Sequence, residues 1–157
     1  MATEIERKFL VIDNSWKTNC GIQVSQGYLN LDKNRTVRVR LAGATAFLTI
    51  KGMTTGATRP EFEYQIPAVD AQEMLKLCVG HLIEKTRHKV SYAGMNWEID
   101  EFHGANAGLA VAEIELQSED QFFAKPAWLG PEVTQDSRYF NSSLAVSPFS
   151  HWPGTEK

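Results

Sequence analysis

Charged residues recur at a spacing of two along most of this chain. Glu4, Glu6 and Lys8 begin the series. Arg38 and Arg40, Lys51, Glu61 and Glu63, Lys85, Arg87 and Lys89, Glu98 and Asp100, and Glu113 and Glu115 continue it. In an extended chain alternate side chains share a face, so each set projects in one direction. The opposite parity is mainly apolar, with Ile5 and Phe9, Val37 and Val39, Phe62 and Tyr64, Trp97 and Ile99, and Ile114 and Leu116. The signs also sort largely by segment. Carboxylates without neighbouring His or Cys suit a hard divalent cation such as Mg²⁺ or Mn²⁺. Arginine binds phosphate as a bidentate fork and lysine as a point charge. One cavity holding both is the logic of a metal–polyphosphate site. No GxxxxGK[ST] or GxGxxG loop accompanies these residues.

The elements that would position these groups read as eight strands, over 4–10, 22–31, 36–41, 46–52, 61–66, 82–92, 97–102 and 109–117. Asp32-Lys33-Asn34 and Ala93-Gly94-Met95-Asn96 are turn sequences between them. One clear helix is expected from Asp70, with Glu73 completing a capping box and Gly80 as its stop. Shorter helices are expected from Ser118 to before Pro126, and from Asp136 through Arg138, Tyr139 and Asn141. Two architectures fit this pattern. One is an open sheet with its charged face in water. The other is a closed barrel with the charges inside, for which about eight strands is the right number. Bulky residues fill the apolar parity while helices to cover it are few, which favours closure. The expected class is therefore α+β, mainly β: an eight-stranded antiparallel β-barrel (tunnel) with a few flanking helices. A barrel binding apolar ligands would need an apolar inward parity, which these strands lack.

A chain of 157 residues is most simply one domain. A net charge of −3 argues against a protein that coats nucleic acid by bulk electrostatics, and no nucleic-acid partner is expected. No apolar run approaches the roughly 20 residues of a membrane span, and the N-terminus carries no signal-like core, so the expected location is the cytoplasm. Cys20 and Cys78 have neither CxxC nor zinc spacing. His81, His88, His103 and His151 likewise show no metal-binding spacing with one another.

Glu4-Ile5-Glu6-Arg7-Lys8-Phe9 resembles the ExExK signature that opens the CYTH superfamily, the triphosphate tunnel metalloenzymes. The resemblance continues in order through Arg38-Val39-Arg40, Ile50-Lys51, Glu61-Phe62-Glu63, Glu84-Lys85-Thr86-Arg87, Glu98-Ile99-Asp100 and Glu113-Ile114-Glu115. It implies a tunnel domain over residues 1–146, leaving 147–157 as a loosely ordered C-terminal tail. It also implies Mg²⁺ or Mn²⁺, a small-molecule triphosphate substrate, and a monomer or homodimer. By position, Glu4, Glu6, Glu113 and Glu115 look like metal ligands. Asp100, with Glu61 and Glu63, looks like a second metal or water-orienting set. Lys8, Arg38, Arg40, Lys51, Lys85 and Arg87 would grip triphosphate, and Arg138 resembles the basic residue of a C-terminal helix closing one mouth. The expected catalytic set is Lys8, Lys85, Glu61, Glu63 and Tyr28, with the Tyr28 hydroxyl meeting Lys8 across neighbouring strands. The implied activity is hydrolysis of inorganic triphosphate to pyrophosphate and phosphate. A class IV adenylyl cyclase, a thiamine or nucleoside triphosphatase, and a non-catalytic polyphosphate- or nucleotide-binding module are the alternatives.

Overall fold

A computed structural model describes residues 3–154. Its strands are β1 (Thr3–Val11), β2 (Ile22–Asn30), β3 (Thr36–Ala42), β4 (Thr45–Lys51), β5 (Thr58–Ile66), β6 (Val79–Tyr92), β7 (Met95–Phe102), β8 (Ala110–Glu115) and β9 (Leu129–Glu132). Two α-helices accompany them, α1 (Ala68–Leu75) and α2 (Asn141–Leu144). The strand order is β5-β4-β3-β2-β6-β7-β8-β1-β9, and an additional β1–β5 pairing closes the first eight strands into an antiparallel barrel. β1 makes this closure by dividing one of its edges. Thr3–Ile5 pair with β5, whereas Phe9 and Val11 pair with β9. Its other edge runs along β8, with Glu6 opposite Glu115 and Lys8 opposite Glu113.

The two parities serve different surfaces. Outward residues of β1, β7 and β8 (Phe9, Trp97, Ile99, Ala112 and Ile114) form a buried cluster with Trp16, Leu116, Phe123 and Trp128. Phe9, Trp97, Phe123 and Trp128 meet edge to face, with ring centroids 5.5–5.9 Å apart, a favoured aromatic arrangement. Outward residues of β3 and β4 pack beneath Ala71, Met74 and Leu75 of α1. Inward positions are charged over most of the barrel but turn apolar at one end. There Ile83, Phe102 and Val111 pack with Tyr139, Leu144, Ala145 and Trp152 from the C-terminal segment.

Several local expectations differ from this arrangement. No capping box starts α1: its N-cap is Pro67, without a side-chain cap, and Asp70 lies inside the first turn. The preset φ of proline and the acidic residue near the helix N-terminus supply the start instead. Gly80 belongs to β6 rather than ending the helix. It sits at φ +72, where an added Cβ would stand 2.6 Å from the Ala145 carbonyl oxygen. Its neighbour His81 donates a backbone N–H to that same oxygen, docking α2 on the barrel. The segment after Ser118 is not helical; it lays Phe123 and Trp128 over the barrel. β9 forms despite Gly130-Pro131, because an edge strand tolerates a missing N–H. Of the expected loose tail, residues 147–154 are docked through Trp152, which stacks against Tyr139 and Phe149; residues 155–157 lie outside the described ones.

Candidate active site

Closing the barrel brings the two-residue charge series to one cavity of about 260 Å³. Strand order sorts its wall by sign. The contiguous strands β7, β8, β1 and β5 contribute Glu98, Glu113, Glu115, Glu4, Glu6, Glu61 and Glu63. The facing strands β4, β3 and β6 contribute Lys51, Arg38, Arg40, Lys85 and Arg87, with neutral Tyr28 from β2 between them. Lys8 on β1 and Arg59 on β5 are the cations of the acidic half. Seven carboxylates thus face seven basic groups, so the wall is formally neutral and a polyphosphate entering alone would bring uncompensated negative charge.

Most of these groups are paired with one another along the wall. Lys8 Nζ donates to Glu6 and to Glu113 Oε2 at 2.9 Å. Those two carboxylates raise the lysine pKa well above its usual value, against burial. Burial would raise Glu6, but Lys8 and Lys51 outweigh it and hold the carboxyl below its usual range. Lys51 Nζ reaches Glu4 Oε1 at 3.1 Å. Arg38 donates to Thr49 and to Glu63, but its buried Nε has no partner among the described residues. A buried donor without an acceptor is costly. Burial, then the nearby Arg38 and Arg87, lower Arg40 to about 10. It remains a cation at neutral pH, crowded by its own sign.

Asp100 is the anchor beneath this basic wall. It is 1% exposed and does not line the cavity. Its oxygens accept from Arg87 Nε and Nη2 at 2.8 and 2.9 Å, and Oδ2 also lies 2.8 Å from Lys85 Nζ in an ion pair. Burial opposes its ionisation, yet Arg87 and Lys85 hold it down to about 2. As placed, Asp100 sits behind the cavity wall with both oxygens engaged by Lys85 and Arg87, and it positions those two groups. Lys85 responds in the opposite sense. Burial, opposed by Asp100 and reinforced by Arg87 and Arg40, lowers its pKa to about 7.

The acidic half shows where a cation fits. As placed, no three His, Cys, Asp or Glu side chains among the described residues converge closely enough to hold one. Yet Glu6 stands directly opposite Glu115, and Glu98 opposite Glu113, and like charges in directly opposed positions are unfavourable. Burial, with Glu4, Glu6 and Glu98, pushes Glu115 above its usual carboxyl range. Glu98 is raised too, by burial first and then by Glu113, Asp100 and Glu6, with Arg87 opposing. An all-oxygen cluster with excess negative charge matches a hard divalent cation.

Two further expectations are corrected by the barrel. Tyr28 lines the cavity, but β2 lies four strands from β1 in either direction around the ring, so it is not on a strand neighbouring Lys8. Arg138 lies outside the cavity lining. It occupies a 3-10 turn, pairs with Asp136 and covers the Tyr139 and Trp152 rings. The neighbouring Phe140, Asn141 and Ser142 reach the cavity instead. Arg59, absent from the expected set, shares the parity of Glu61 and Glu63. β5 begins at Thr58, three residues before the expected start, and this brings Arg59 onto the inner face.

Comparison with known proteins agrees with this geometry. The family described as CYTH domain matches residues 2–146. The inorganic triphosphatase of Acetivibrio thermocellus is 46% identical over 154 residues, 97% of this chain and 99% of that protein. The inorganic triphosphatase of Nitrosomonas europaea is 38% identical over 149 residues, 92% and 98% of the two chains. A crystal structure of an inorganic triphosphatase superposes with a TM-score of 0.67 at 36% identity, covering 91% of this chain and 97% of that one. A conserved hypothetical protein from Pyrococcus furiosus shares the fold at 19% identity, with a TM-score of 0.58 over 74% of this chain and 80% of that one.

Proposed function

The chain belongs to the CYTH domain family, and on that premise we propose that it hydrolyses inorganic triphosphate to pyrophosphate and phosphate. The observation that carries this reading is the cavity itself, with opposed acidic and basic walls and an apolar inner end. Its volume of about 260 Å³ lies below the roughly 300–1,000 Å³ typical of sites for drug-sized ligands. That favours a compact substrate without a base or thiazolium ring. The near-full-length identity to two inorganic triphosphatases supports the same substrate.

Arg38, Arg40, Lys51 and Arg87, all lining the cavity, hold the phosphoryl chain. Lys8, kept cationic by Glu6 and Glu113, adds positive charge on the acidic side. Glu4, Glu6, Glu113 and Glu115 would hold Mg²⁺ or Mn²⁺, which supplies Lewis-acid polarisation of phosphoryl oxygens when bound. Lys85 has a substantial neutral fraction near pH 7. It can accept the proton of the attacking water, and a base is most effective when its pKa is near the working pH. Glu61 and Glu63, on β5 beside the strand of Glu4 and Glu6, face Lys85 from the opposite wall and orient that water. The two cysteines are free, Cys20 being exposed, which fits a reducing compartment such as the cytoplasm. Among the described residues, no helix is long and apolar enough to cross a membrane.

Phosphate release should be measured with triphosphate, ATP, thiamine triphosphate and pyrophosphate, each with Mg²⁺ or Mn²⁺ and with an EDTA control. Preference for triphosphate, lost in EDTA, is expected. No metal-dependent turnover of any of the four would overturn the reading.

A further inference from the structure

Lys85 touches a short relay of neutral carboxamides that the proposed chemistry does not yet use. Gln26, on β2, is fully buried, and Asn141 opens α2 beside the cavity. Arg40 Nε donates to Gln26 Oε1 at 3.2 Å, and Gln26 Nε2 donates to Asn141 Oδ1 at 2.9 Å. Lys85 Nζ donates to that same Oδ1 at 3.0 Å. Both amide orientations are dictated from the Arg40 end. Arginine only donates, so it must face Gln26 Oε1, and the Gln26 NH₂ is then left to face Asn141 Oδ1.

The consequence concerns the neutral amine. An uncharged Lys85 has two N–H bonds and one lone pair. Asn141 Oδ1 at 3.0 Å accepts one of the N–H bonds, and Asp100 Oδ2 stands 2.8 Å away in ion-pair contact. The amine is held between these two groups on a side chain that lines the cavity. We propose that Asn141, locked by Gln26, is a positioning residue that aims the Lys85 lone pair at the attacking water. This rests on the triphosphatase reading for its chemistry, but the Asn141–Lys85 contact can be read without turnover. It also accounts for a neutral amide at this position. A carboxylate would offer the same acceptor geometry while stabilising the ammonium form, in which the lone pair is lost.

The test uses Asn141→Leu, Asn141→Asp and Gln26→Leu in the full chain. In Asn141→Leu the amine loses the one hydrogen bond that fixes its direction. kcat for triphosphate should fall on the order of 100-fold, the scale of a misaligned catalytic group, with KM much less affected. Gln26→Leu should produce a smaller fall of the same kind. Asn141→Asp keeps shape and acceptor, and should move the Lys85-dependent limb of the pH–kcat profile upward by about one pH unit or more. Independently of activity, the ¹³Cε resonance of Lys85, assigned through Lys85→Arg in lysine-labelled protein, should titrate higher in Asn141→Asp. If the wild type turns over no triphosphate but that resonance moves, the contact stands and only the triphosphatase reading falls. An unmoved Lys85 titration in Asn141→Asp, or wild-type kcat in a folded Asn141→Leu, would overturn the proposal.

Discussion

Replacing Asp100 by Asn tests whether one buried carboxylate organises the basic wall. The substitution keeps the side-chain shape, removes the charge, and turns an NH₂ toward either Lys85 or Arg87, both of which only donate. Two routes bound the cost. Asp100 is held at about 2 against a reference of 3.8, and at about 1.4 kcal/mol per pH unit this is on the order of 2 kcal/mol. Removing one partner of a buried ion pair typically costs about 3–5 kcal/mol. A loss of about 2–5 kcal/mol at pH 7 is therefore expected from urea denaturation, seen as a lower midpoint at unchanged slope. The pH dependence has a definite sign. Because the folded-state pKa is depressed, the stabilisation is present above the unfolded value near 3.8 and disappears as pH falls through about 2. The gap between wild type and Asp100→Asn should then narrow across that window, since protonated Asp resembles Asn. A gap below about 1 kcal/mol at pH 7, or one that stays constant on acidification, would refute the reasoning.

Three further outcomes follow from the geometry. Arg138→Ala should leave kcat for triphosphate close to wild type, because Arg138 lies outside the cavity lining; a large rise in KM would place Arg138 in the site after all. Gly80→Ala forces a methyl against the Ala145 carbonyl at φ +72 and should cost about 1–3 kcal/mol by thermal unfolding, with no measurable cost counting against the docking of α2 described above. Mg²⁺ or Mn²⁺ without substrate, at about 100 times its Kd, should stabilise the protein by about 2.7 kcal/mol. For a chain of this size that is a rise in Tm of roughly 5–10 °C, and Glu6→Gln should abolish most of it. An equal rise in the variant would exclude Glu6 as a ligand.

The barrel was legible because closure leaves a signature: one parity charged and the other mainly apolar over seven of the eight segments. What lay outside that signature was not legible. β9 is an edge strand whose Gly130-Pro131 reads locally as a break, and only pairing with β1 makes it a strand. The capping-box pattern at Asp70 and Glu73 was real in spacing, but Pro67 starts the helix one turn earlier. Among site residues, Arg59 was within reach, since it continues the parity of Glu61 by one step, but a strand read from Glu61 leaves it out. Gln26 and Asn141 carried no signal. Neutral amides on an inward parity mean nothing until the fold sets them beside Arg40 and Lys85. Asp100 belonged to the charge series, but parity says only that a side chain points inward. It does not say whether the side chain reaches the cavity or stops behind two cations.

That last distinction follows from the cost of burying charge. A small barrel cannot enclose so many ionic groups unless almost every one is paired, and the strand order supplies the pairs by setting acidic strands against basic ones. Lys8 with Glu6 and Glu113, Lys51 with Glu4, and Arg87 with Asp100 and Glu113 all satisfy that requirement. The groups left imperfectly matched are therefore informative. Glu115 and Glu98 are raised toward neutrality in the acidic half, Arg40 is crowded by its own sign, and Arg38 Nε has no acceptor. The surplus of negative potential lies on one wall and the surplus of donors on the other. A divalent cation relieves the first and a chain of phosphoryl oxygens the second, so the stress left by folding marks both halves of the ligand.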